Sequence, residues 1–466
     1  MNMVRVNKND YLENRNMKTK GRSSIRLFLA TAAAVQCLMV GSAFAGDGTW
    51  DGGGSQTPGN AIWGGVNNWN PNGAVADGAG YTAFFGIAFA NGYVVIVNTE
   101  RTIGNIVFTD PANANDLLLQ KHSSDYTLTL NNLSASPVIN VTQAGRTLKI
   151  NPRVGGTGGL TKMGPGILIL NTNNTYSGNT VISNGILTLG HSLAMKNSVL
   201  DTGKSISGDA DNGLRITVTT ITLGGLAGGK DFASVFTTTS GGFETLTELT
   251  LNPGAGVVAS YSGVIADGAA GMRLIKTGAG TQILSGANTF SGPAIVNEGE
   301  LALNGGSLAA PVTVNAGGTL GLAGAGVIPS LEYTSSGAMN FDVANGGHLT
   351  VMNVNGITNS GGAGSIRINI TGSAPAAGTY TLISYNGSLQ GSGFGAYVLG
   401  STPGGDYELI DTGTAVELVV RPDTTPPALL SAEGRGEMNH IYLVFSEPVG
   451  SNCIGNLSQY SVQMTN

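Results

Sequence analysis

Apolar residues alternate with polar or small residues over four or five positions through most of the chain, and a glycine or asparagine then interrupts the alternation. In "NGILTLG", Leu187 and Leu189 fall on one side of an extended chain and Thr188 falls on the other. A period of two indicates β-strands, and no window keeps the 3.6-residue period of a helix for three turns. The sequence therefore predicts many short strands joined by turns, with the leucines facing inward and Thr188 facing solvent.

One stretch of this pattern occurs twice. "GLTKMGPGILILNTNNTYSGNTVISNGILTLG" (159–190) aligns without a gap on "RLIKTGAGTQILSGANTFSGPAIVNEGELALN" (273–304) at a shift of 114 positions, and 13 of the 30 central columns are identical. Such self-similarity favours a solenoid over a sandwich, because one coil cannot bury its inward leucines alone and stacked copies can. The spacing divides into five coils of about 23 residues or six of about 19, and both suit a parallel β-helix.

Glycine, asparagine and one lysine recur among the identical columns. We expect the glycines to provide positive φ or close backbone approach at the corners of a coil. The asparagines suit left-handed bends, and on stacked coils their side chains can form amide ladders. In the first copy the identical columns include Lys162, Gly164, Gly166, Asn174, Gly178 and Gly185, and Asn171 and Asn184 are further asparagines of that copy.

The first 45 residues have a different character from the rest. Basic residues from Lys18 to Arg26 precede the apolar run 27–40, and Ala43-Phe44-Ala45 forms a small-x-small triplet. This is the pattern of a secretory signal peptide cleaved before Gly46, with Met17 as an alternative start. The apolar run is short for a membrane span, and no later segment is longer, so we expect no membrane insertion by the chain.

Export changes the charge balance of the protein. The 466 residues carry 22 Lys and Arg against 28 Asp and Glu, and removal of residues 1–45 leaves 15 against 26, a net charge of −11. Such a surface repels nucleic acid and anionic lipid. Cys453 is then the one remaining cysteine, so the sequence predicts no intrachain disulfide. The 73 glycines, about twice the usual share of ~7%, agree with a chain of many turns.

The two repeated stretches resemble the autotransporter-associated β-strand repeat, also called the passenger-associated transport repeat, of large exported bacterial proteins. "TWDGGG…NNWN" is similar to the usual opening of such regions, and 377–409 is similar to their close. The resemblance implies a double-membraned bacterium, and with the strand pattern we predict an all-β, right-handed parallel β-helix over 46–422. Gln282 stands where the pattern has an inward leucine, as at Leu168, and Pro293 replaces a turn residue, so we expect a weaker second copy.

A proline-rich joint, "RPDTTPPA", precedes a segment of different pattern, 423–466. This segment is similar to the start of bacterial immunoglobulin-like modules, with Ile441, Leu443 and Phe445 alternating on one face of a strand. A seven-stranded sandwich needs ~100 residues. The sequence therefore predicts an incomplete immunoglobulin-like β-sandwich after the solenoid.

Residues that carry chemistry are few and scattered. The four histidines, His122, His191, His348 and His440, have no metal-ligand spacing. "DADNG" (209–213) lacks the later ligands of a calcium loop and is better interpreted as a turn. We weigh Trp50, Trp63 and Trp69 as a cap on the first coil against a sugar-stacking platform, and favour the cap. The sequence therefore predicts no catalytic, metal-binding or cofactor-binding residues.

These observations predict an exported, non-catalytic β-helical passenger or stalk, secreted or at the bacterial cell surface, with an adhesive role and glycans as partners. Two alternatives stay open: a β-helix polysaccharide lyase or hydrolase, and a carbohydrate-binding surface module. An enzyme of this fold needs clustered acidic and basic residues on one outer face. Neighbouring coils could bring together one such group, which consists of Asp209, Asp211, Arg215, Lys230 and Asp231.

Overall fold

The alternating segments form strands in the computed structural model, which describes residues 46–52, 61–238, 242–422, 429–434 and 441–445. The predicted signal peptide lies outside the described residues. Helical structure in the described residues comprises α1 (Phe232–Val235) and three 3-10 turns, Val66–Asn68, Val343–Asn345 and Gly393–Ala396. None of these has the length and hydrophobicity of a membrane-spanning helix. The prediction of an all-β protein with almost no α-helix is confirmed.

The described residues contain 41 strands, and most of them pair in parallel. In chain order they are β1 (Gly48–Trp50), β2 (Ala61–Ile62), β3 (Trp69–Asn70), β4 (Gly78–Phe85), β5 (Val94–Val97), β6 (Arg101–Phe108), β7 (Leu117–Lys121), β8 (Thr127–Leu130), β9 (Val138–Val141), β10 (Thr147–Ile150), β11 (Arg153–Gly155), β12 (Leu160–Met163), β13 (Ile167–Leu170), β14 (Gly178–Ile182), β15 (Ile186–Leu189), β16 (Met195–Asp201), β17 (Gly213–Ile216), β18 (Thr220–Ala227), β19 (Glu248–Leu251), β20 (Val258–Tyr261), β21 (Arg273–Lys276), β22 (Thr281–Leu284), β23 (Ala287–Asn288), β24 (Ala294–Val296), β25 (Gly299–Leu303), β26 (Ser307–Leu308), β27 (Val312–Val314), β28 (Gly318–Leu322), β29 (Ala325–Ile328), β30 (Leu331–Tyr333), β31 (Gly337–Phe341), β32 (His348–Val354), β33 (Ile357–Asn359), β34 (Ile366–Ile370), β35 (Gly378–Asn386), β36 (Gln390–Gly391), β37 (Tyr397–Leu399), β38 (Asp406–Asp411), β39 (Ala415–Arg421), β40 (Leu429–Gly434) and β41 (Ile441–Phe445).

The strands between the two ends lie on three faces, which the chain visits in the same order coil after coil. Face I contains β8, β11, β19, β21, β24, β27, β30, β33 and β36, and face II contains β9, β12, β14, β20, β22, β25, β28, β31, β34 and β37. Face III contains β2, β5, β7, β10, β13, β15, β17, β23, β26, β29, β32 and β35. The longer strands β4, β6, β16 and β18 span faces I and II.

Two faces are interrupted near the middle of the chain, and backbone bridges connect their halves. Face II passes from β18 to β20 through the bridge between Gly228 and Tyr261. On face III the next contact after β17 is the bridge between Leu214 and Phe236. A hydrogen bond from Thr289 N to Ile265 O, at 2.9 Å, then connects this face to β23 on a later coil. The described chain from β4 to β37 is therefore one three-sided parallel β-helix.

The two sequence repeats begin on different faces of this β-helix. The first starts with β12 on face II and the second with β21 on face I. The 114-residue spacing is thus not a whole number of coils, and the expectation of five or six equal coils is wrong. Loops of unequal length cause the difference: hydrogen-bonded partners on adjacent coils are 18 residues apart at Asn297 and Asn315 but 34 apart at Met352 and Asn386.

The interior is a stack of apolar rows, as the alternation predicts. Leu187 lies in register between Leu168 and Leu214, and all three side chains are fully buried. A one-residue slip would turn each such row toward solvent, so the apolar pattern and the parallel pairing fix each other.

Thr188 does not face solvent as the sequence predicted, because it is only 4% exposed. It lies on the outward side of β15 and pairs in register with Ile169 on one neighbouring coil and Arg215 on the other. Long neighbours in the same outward row cover a short threonine, and alternation within one strand cannot reveal this.

Antiparallel strands close both ends of the β-helix. At the first coil β1 pairs with β3, and at the last coil β39 pairs with β35 and β38. Beyond this end β40 and β41 form an antiparallel hairpin, which includes the predicted strand at Ile441–Phe445. The immunoglobulin-like module stays a prediction, since the other residues of 423–466 lie outside the described part.

Leu187→Asp is expected to lower the free energy of unfolding by several kcal/mol, because it places an unpaired carboxylate in a fully buried row. Thr175→Asp, at an exposed position of the first repeat, is expected to change stability by no more than ~0.5 kcal/mol. Urea unfolding followed by far-UV circular dichroism measures both. Equal losses in the two variants would show that the inward rows are wrongly assigned.

Candidate functional site

Several members of the acidic group considered as an enzyme site bond to nearby turns and backbone groups. Asp209 Oδ1 accepts hydrogen bonds from Asp211 N and Asn212 Nδ2, both at 3.0 Å, so "DADNG" forms a turn. Asp231 Oδ1 accepts from Val264 N at 2.9 Å, and Lys230 Nζ donates to the Ser205 carbonyl. The described part of the chain contains no group of three His, Cys, Asp or Glu residues arranged to hold a metal ion.

The histidines are separate from one another. His122 lies beside Tyr126 with ring centroids 5.9 Å apart, His191 Nδ1 accepts from Leu193 N at 3.0 Å, and His348 contacts the Gly346 carbonyl. His440 lies outside the described residues. These hydrogen bonds and this ring contact join each described histidine to a residue two to four positions away.

The three tryptophans form a cap on the first coil, and none is exposed. Trp50 and Trp69 meet edge to face with ring centroids 4.9 Å apart. Trp63 Nε1 donates to the Ala76 carbonyl at 2.8 Å, and Trp69 Nε1 donates to the Trp63 carbonyl at 2.6 Å. With ring faces buried and both of these indole N–H groups bonded, the tryptophans cannot act as a sugar-stacking platform.

The lysine shared by both repeats is buried in the interior of the β-helix. Lys162 and Lys276 are both 0% exposed. Lys162 Nζ donates to the carbonyls of Met163, Gly164 and Asn184 at 2.7, 2.7 and 3.0 Å. Lys276 Nζ makes the matching set of contacts at 2.7, 2.7 and 2.9 Å, and its acceptors are the carbonyls of Thr277, Gly278 and Glu298.

This arrangement ties two successive coils together at a corner. The three acceptors match the three N–H bonds of an ammonium group, and two of them belong to one coil and the third to the next. Gly185 and Gly299 follow the carbonyl on the second coil, with φ of +69° and +63°, and a Cβ at either position would lie 2.3 Å from a carbonyl oxygen. A side chain is excluded there, which explains this identical glycine column.

Burial makes the ammonium form less favourable in both copies. It lowers the pKa of Lys162 to about 7 from an ordinary value of 10.5. It lowers the pKa of Lys276 to about 8, with Glu298 and Glu300 acting in the opposite direction. The lysine is therefore a structural element of the repeat whose protonation affects stability.

The shared asparagine joins three coils. Asn174 Oδ1 accepts from Val154 N at 2.9 Å on the preceding coil, and Asn174 Nδ2 donates to the Ala194 carbonyl at 3.0 Å on the following coil. Asn288 makes the equivalent bonds to Ile265 N and the Ser307 carbonyl, at 3.0 and 3.2 Å. These bridges satisfy backbone groups where the strand of that face is shortest or missing.

Gln282 occupies the inward leucine position and is fully buried, yet all its polar atoms are bonded. Its Oε1 accepts from Leu226 N at 2.9 Å, and its Nε2 donates to the carbonyls of Leu226, Ala259 and Ile283 at 3.0, 3.1 and 3.1 Å. Leu226 lies two coils before Gln282 on face II. The amide of Gln282 thus supplies hydrogen bonds to backbone groups near the interruption of face II. These contacts do not support the expectation that Gln282 weakens the second copy.

A polar cleft with a volume of ≈ 370 Å³ opens at the end of face III, and we call it the amide cleft. A ladder of amides on three coils forms its floor: Asn151 Nδ2 donates to Gln120 Oε1 at 2.6 Å, and Asn171 Nδ2 donates to Asn151 Oδ1 at 3.4 Å. The predicted amide ladder is confirmed for Asn171. The amide cleft is lined by Gln120, Lys121, Asp125, Asn151, Arg153, Asn171, Thr172, Asn173 and His191.

A second cleft of ≈ 440 Å³ lies at the opposite ends of the same strands, β7, β10 and β13. Arg146 and Lys149 line it, and Arg146 Nη1 lies 3.8 Å from Asp116 Oδ1. Sequence analysis missed both clefts, because their residues come from coils about 20 to 30 positions apart. The signal that was present is a polar amide at the end of each of three strands: Gln120 near the end of β7, and Asn151 and Asn171 directly after β10 and β13.

The structure therefore identifies the repeated unit as a coil-building element of a parallel β-helix, with a buried lysine, a bridging asparagine and corner glycines. These units are passenger-associated transport repeats: the family model described as Passenger-associated-transport-repeat matches residues 160–189 and 274–303.

A curated relative, described as "Adhesin BmaC autotransporter" from Brucella suis biovar 1 (strain 1330), is 33% identical over 165 residues. The match covers 35% of this chain and 4% of the adhesin, so the chain corresponds to a small part of that relative's length. No solved structure matches the chain.

Stability is expected to rise with pH between about 7 and 10.5 because of the two buried lysines. In this window the unfolded chain binds more protons at these positions than the folded chain, so the free energy of unfolding increases with pH, by up to ~1.4 kcal/mol per pH unit for each lysine. Urea unfolding at successive pH values should show a flatter slope for a Lys162→Met/Lys276→Met variant. Lys204→Met, with a 74% exposed side chain, is the control and should keep the wild-type slope. Identical slopes in all three proteins would contradict the assignment.

Gln282→Leu restores the residue type that the repeat pattern expects, yet we expect it to destabilise the protein by about 1–3 kcal/mol. The leucine would leave Leu226 N and two buried carbonyls without their partner. Gln390→Leu is the control, because the Gln390 side chain bonds only to Ser388 among the described residues. Thermal unfolding measures both, and a stabilised Gln282→Leu variant would refute the role assigned to the amide.

Proposed function

We propose that the chain is an exported, non-catalytic β-helical passenger that acts as an adhesive stalk, secreted or at the cell surface of a double-membraned bacterium. The observation that carries the proposal is the pair of passenger-associated transport repeats built into one continuous β-helix. The relative described as an autotransporter adhesin supports the same role. The leader pattern of residues 1–45 supports export.

The residues shared by the two repeats support a structural role. The lysine and the asparagine are buried, and their polar atoms form hydrogen bonds with backbone groups of neighbouring coils. A catalytic group must reach substrate, and these groups do not. The shared residues of the repeat therefore build the coil, and any ligand would be recognised by residues on the outer surface.

A polysaccharide lyase or hydrolase is the alternative from a different class. Among its strongest candidates, the Asp209 carboxylate accepts hydrogen bonds from its own turn and the Asp231 carboxylate accepts one from the backbone amide of Val264. Fold alone gives no support, because β-helices carry many functions. The adhesive passenger is the better-supported proposal.

We expect the chain from Gly46 onward to bind surfaces without turning over glycans. Beads coated with this protein should be retained under flow on a cultured epithelial surface, and uncoated beads should wash off. A panel of neutral and acidic polysaccharides incubated with the protein, with and without Ca²⁺, should release no reducing or unsaturated ends. Turnover that Asp211→Ala abolishes would establish the enzyme alternative, and absence of retention would remove the adhesive part of the proposal.

A further inference from the structure

The outer surface of face III carries positive charge on an otherwise acidic protein. Lys121, Arg146, Lys149 and Arg215 lie on or beside β7, β10 and β17, and Arg153 follows at the corner. Among the residues that line the two clefts of this face, the acidic ones are Asp116 and Asp125. The chain after residue 45 has a net charge of −11, so this local excess of cations is a distinct feature of one face.

The cations of the amide cleft are held in place and incompletely neutralised. Lys121 Nζ lies 3.0 Å from Asp125 Oδ1, and Arg153 Nη2 lies 3.8 Å from Asp125 Oδ2. The Lys121 and Arg153 side chains are 50% and 39% exposed, so solvent and ligands can reach them. Two cations share one carboxylate, and a single ligand carboxylate would complete the balance.

The floor of the amide cleft offers both donors and acceptors of hydrogen bonds. The Gln120 amide nitrogen and Asn171 Oδ1, at the two ends of the ladder, make no hydrogen bond with the described part of the chain. Asn173 Oδ1, in the same cleft, is buried and has no hydrogen-bond partner among the described residues. Because His191 Nδ1 accepts a hydrogen bond, the neutral ring carries its proton on Nε2 and can donate.

Alternating donors and acceptors suit sugar hydroxyl groups, which both donate and accept. The ladder repeats once per coil, at the ~4.8 Å spacing of parallel strands, which is close to the rise of one sugar unit in an extended polysaccharide. A polyphosphate fits less well, because it only accepts hydrogen bonds and would meet the carboxylate of Asp125 inside the cleft. The chemistry therefore favours a sugar polymer that carries both hydroxyl groups and carboxylates.

We propose that the amide cleft binds an acidic polysaccharide, with Arg153 and Lys121 contacting a uronate carboxylate and Gln120, Asn171 and Asn173 contacting hydroxyl groups. This inference rests on the proposed adhesive function and names the ligand class and the site. The polymer lies across the coils of face III, with one sugar unit for each coil of the ladder.

The test is isothermal titration of the chain from Gly46 onward with polygalacturonate, with neutral dextran, inorganic polyphosphate and double-stranded DNA as comparison ligands at physiological salt. We expect polygalacturonate to bind at least tenfold more tightly than the other three. Arg153→Gln should weaken that binding by about tenfold or more, because it removes a charge-assisted hydrogen bond, and Asn173→Ala should weaken it by about fivefold, because it removes a neutral one. Lys204→Gln, at an exposed lysine outside the cleft, should bind as the wild type does.

Three results would overturn the proposal: equal binding of dextran, tighter binding of inorganic polyphosphate or DNA, and unchanged polygalacturonate binding in both cleft variants. Circular dichroism and thermal unfolding of each variant establish that it is folded, and Arg153→Lys, which keeps the charge, should retain part of the affinity. The retention of coated beads separates the two proposals. Beads carrying the Arg153→Gln/Asn173→Ala chain that are retained as well as wild-type beads would refute the cleft and leave the adhesive passenger standing.

Discussion

Each coil of this protein gives its backbone hydrogen bonds to the coils before and after it, in parallel and in register. Along the stack, a position that faces inward on one coil therefore faces inward on the next, and the interior is a set of rows such as Leu168, Leu187 and Leu214. Burial of these rows stabilises the stack, and the ladder keeps the rows aligned. Loop length is free within this constraint, which is why coils of very different length belong to one solenoid.

Five polar residues of the interior lie where the backbone ladder turns a corner or is interrupted. Lys162 and Lys276 bond to corner carbonyls, Asn174 and Asn288 bridge short strands, and Gln282 serves backbone groups near the break in face II. An unpaired backbone group in these places would cost about as much as a lost buried hydrogen bond. A buried polar side chain supplies the missing hydrogen bonds and keeps the corner compact. Where that side chain is a lysine, the free energy of unfolding depends on pH.

Sequence periodicity predicted the strands, the inward leucines and the corner glycines, because each depends on residues within one coil, and the stacking of like coils predicted the amide ladder at Asn171. It failed where contacts between coils decide the outcome. Thr188 is covered by side chains of two other coils, the 114-residue spacing contains loops of unequal length, and Gln282 bonds to a residue 56 positions away. The amide cleft belongs to the same class, since Gln120, Asn151 and Asn171 become neighbours only after the chain has coiled. Alternation within a strand contains no information about such neighbours.

The offset of the two repeats by one face has a geometric consequence for any protein that contains many of them. A copy inserted in the chain need not stand directly above the previous copy, and an offset of one face turns it by about a third of a revolution around the solenoid axis. Surface features on successive copies then follow a spiral around the solenoid axis and face different directions. A stalk of this kind presents some copy of each feature to an opposing surface whatever its rotation about its own axis, without any joint that bends.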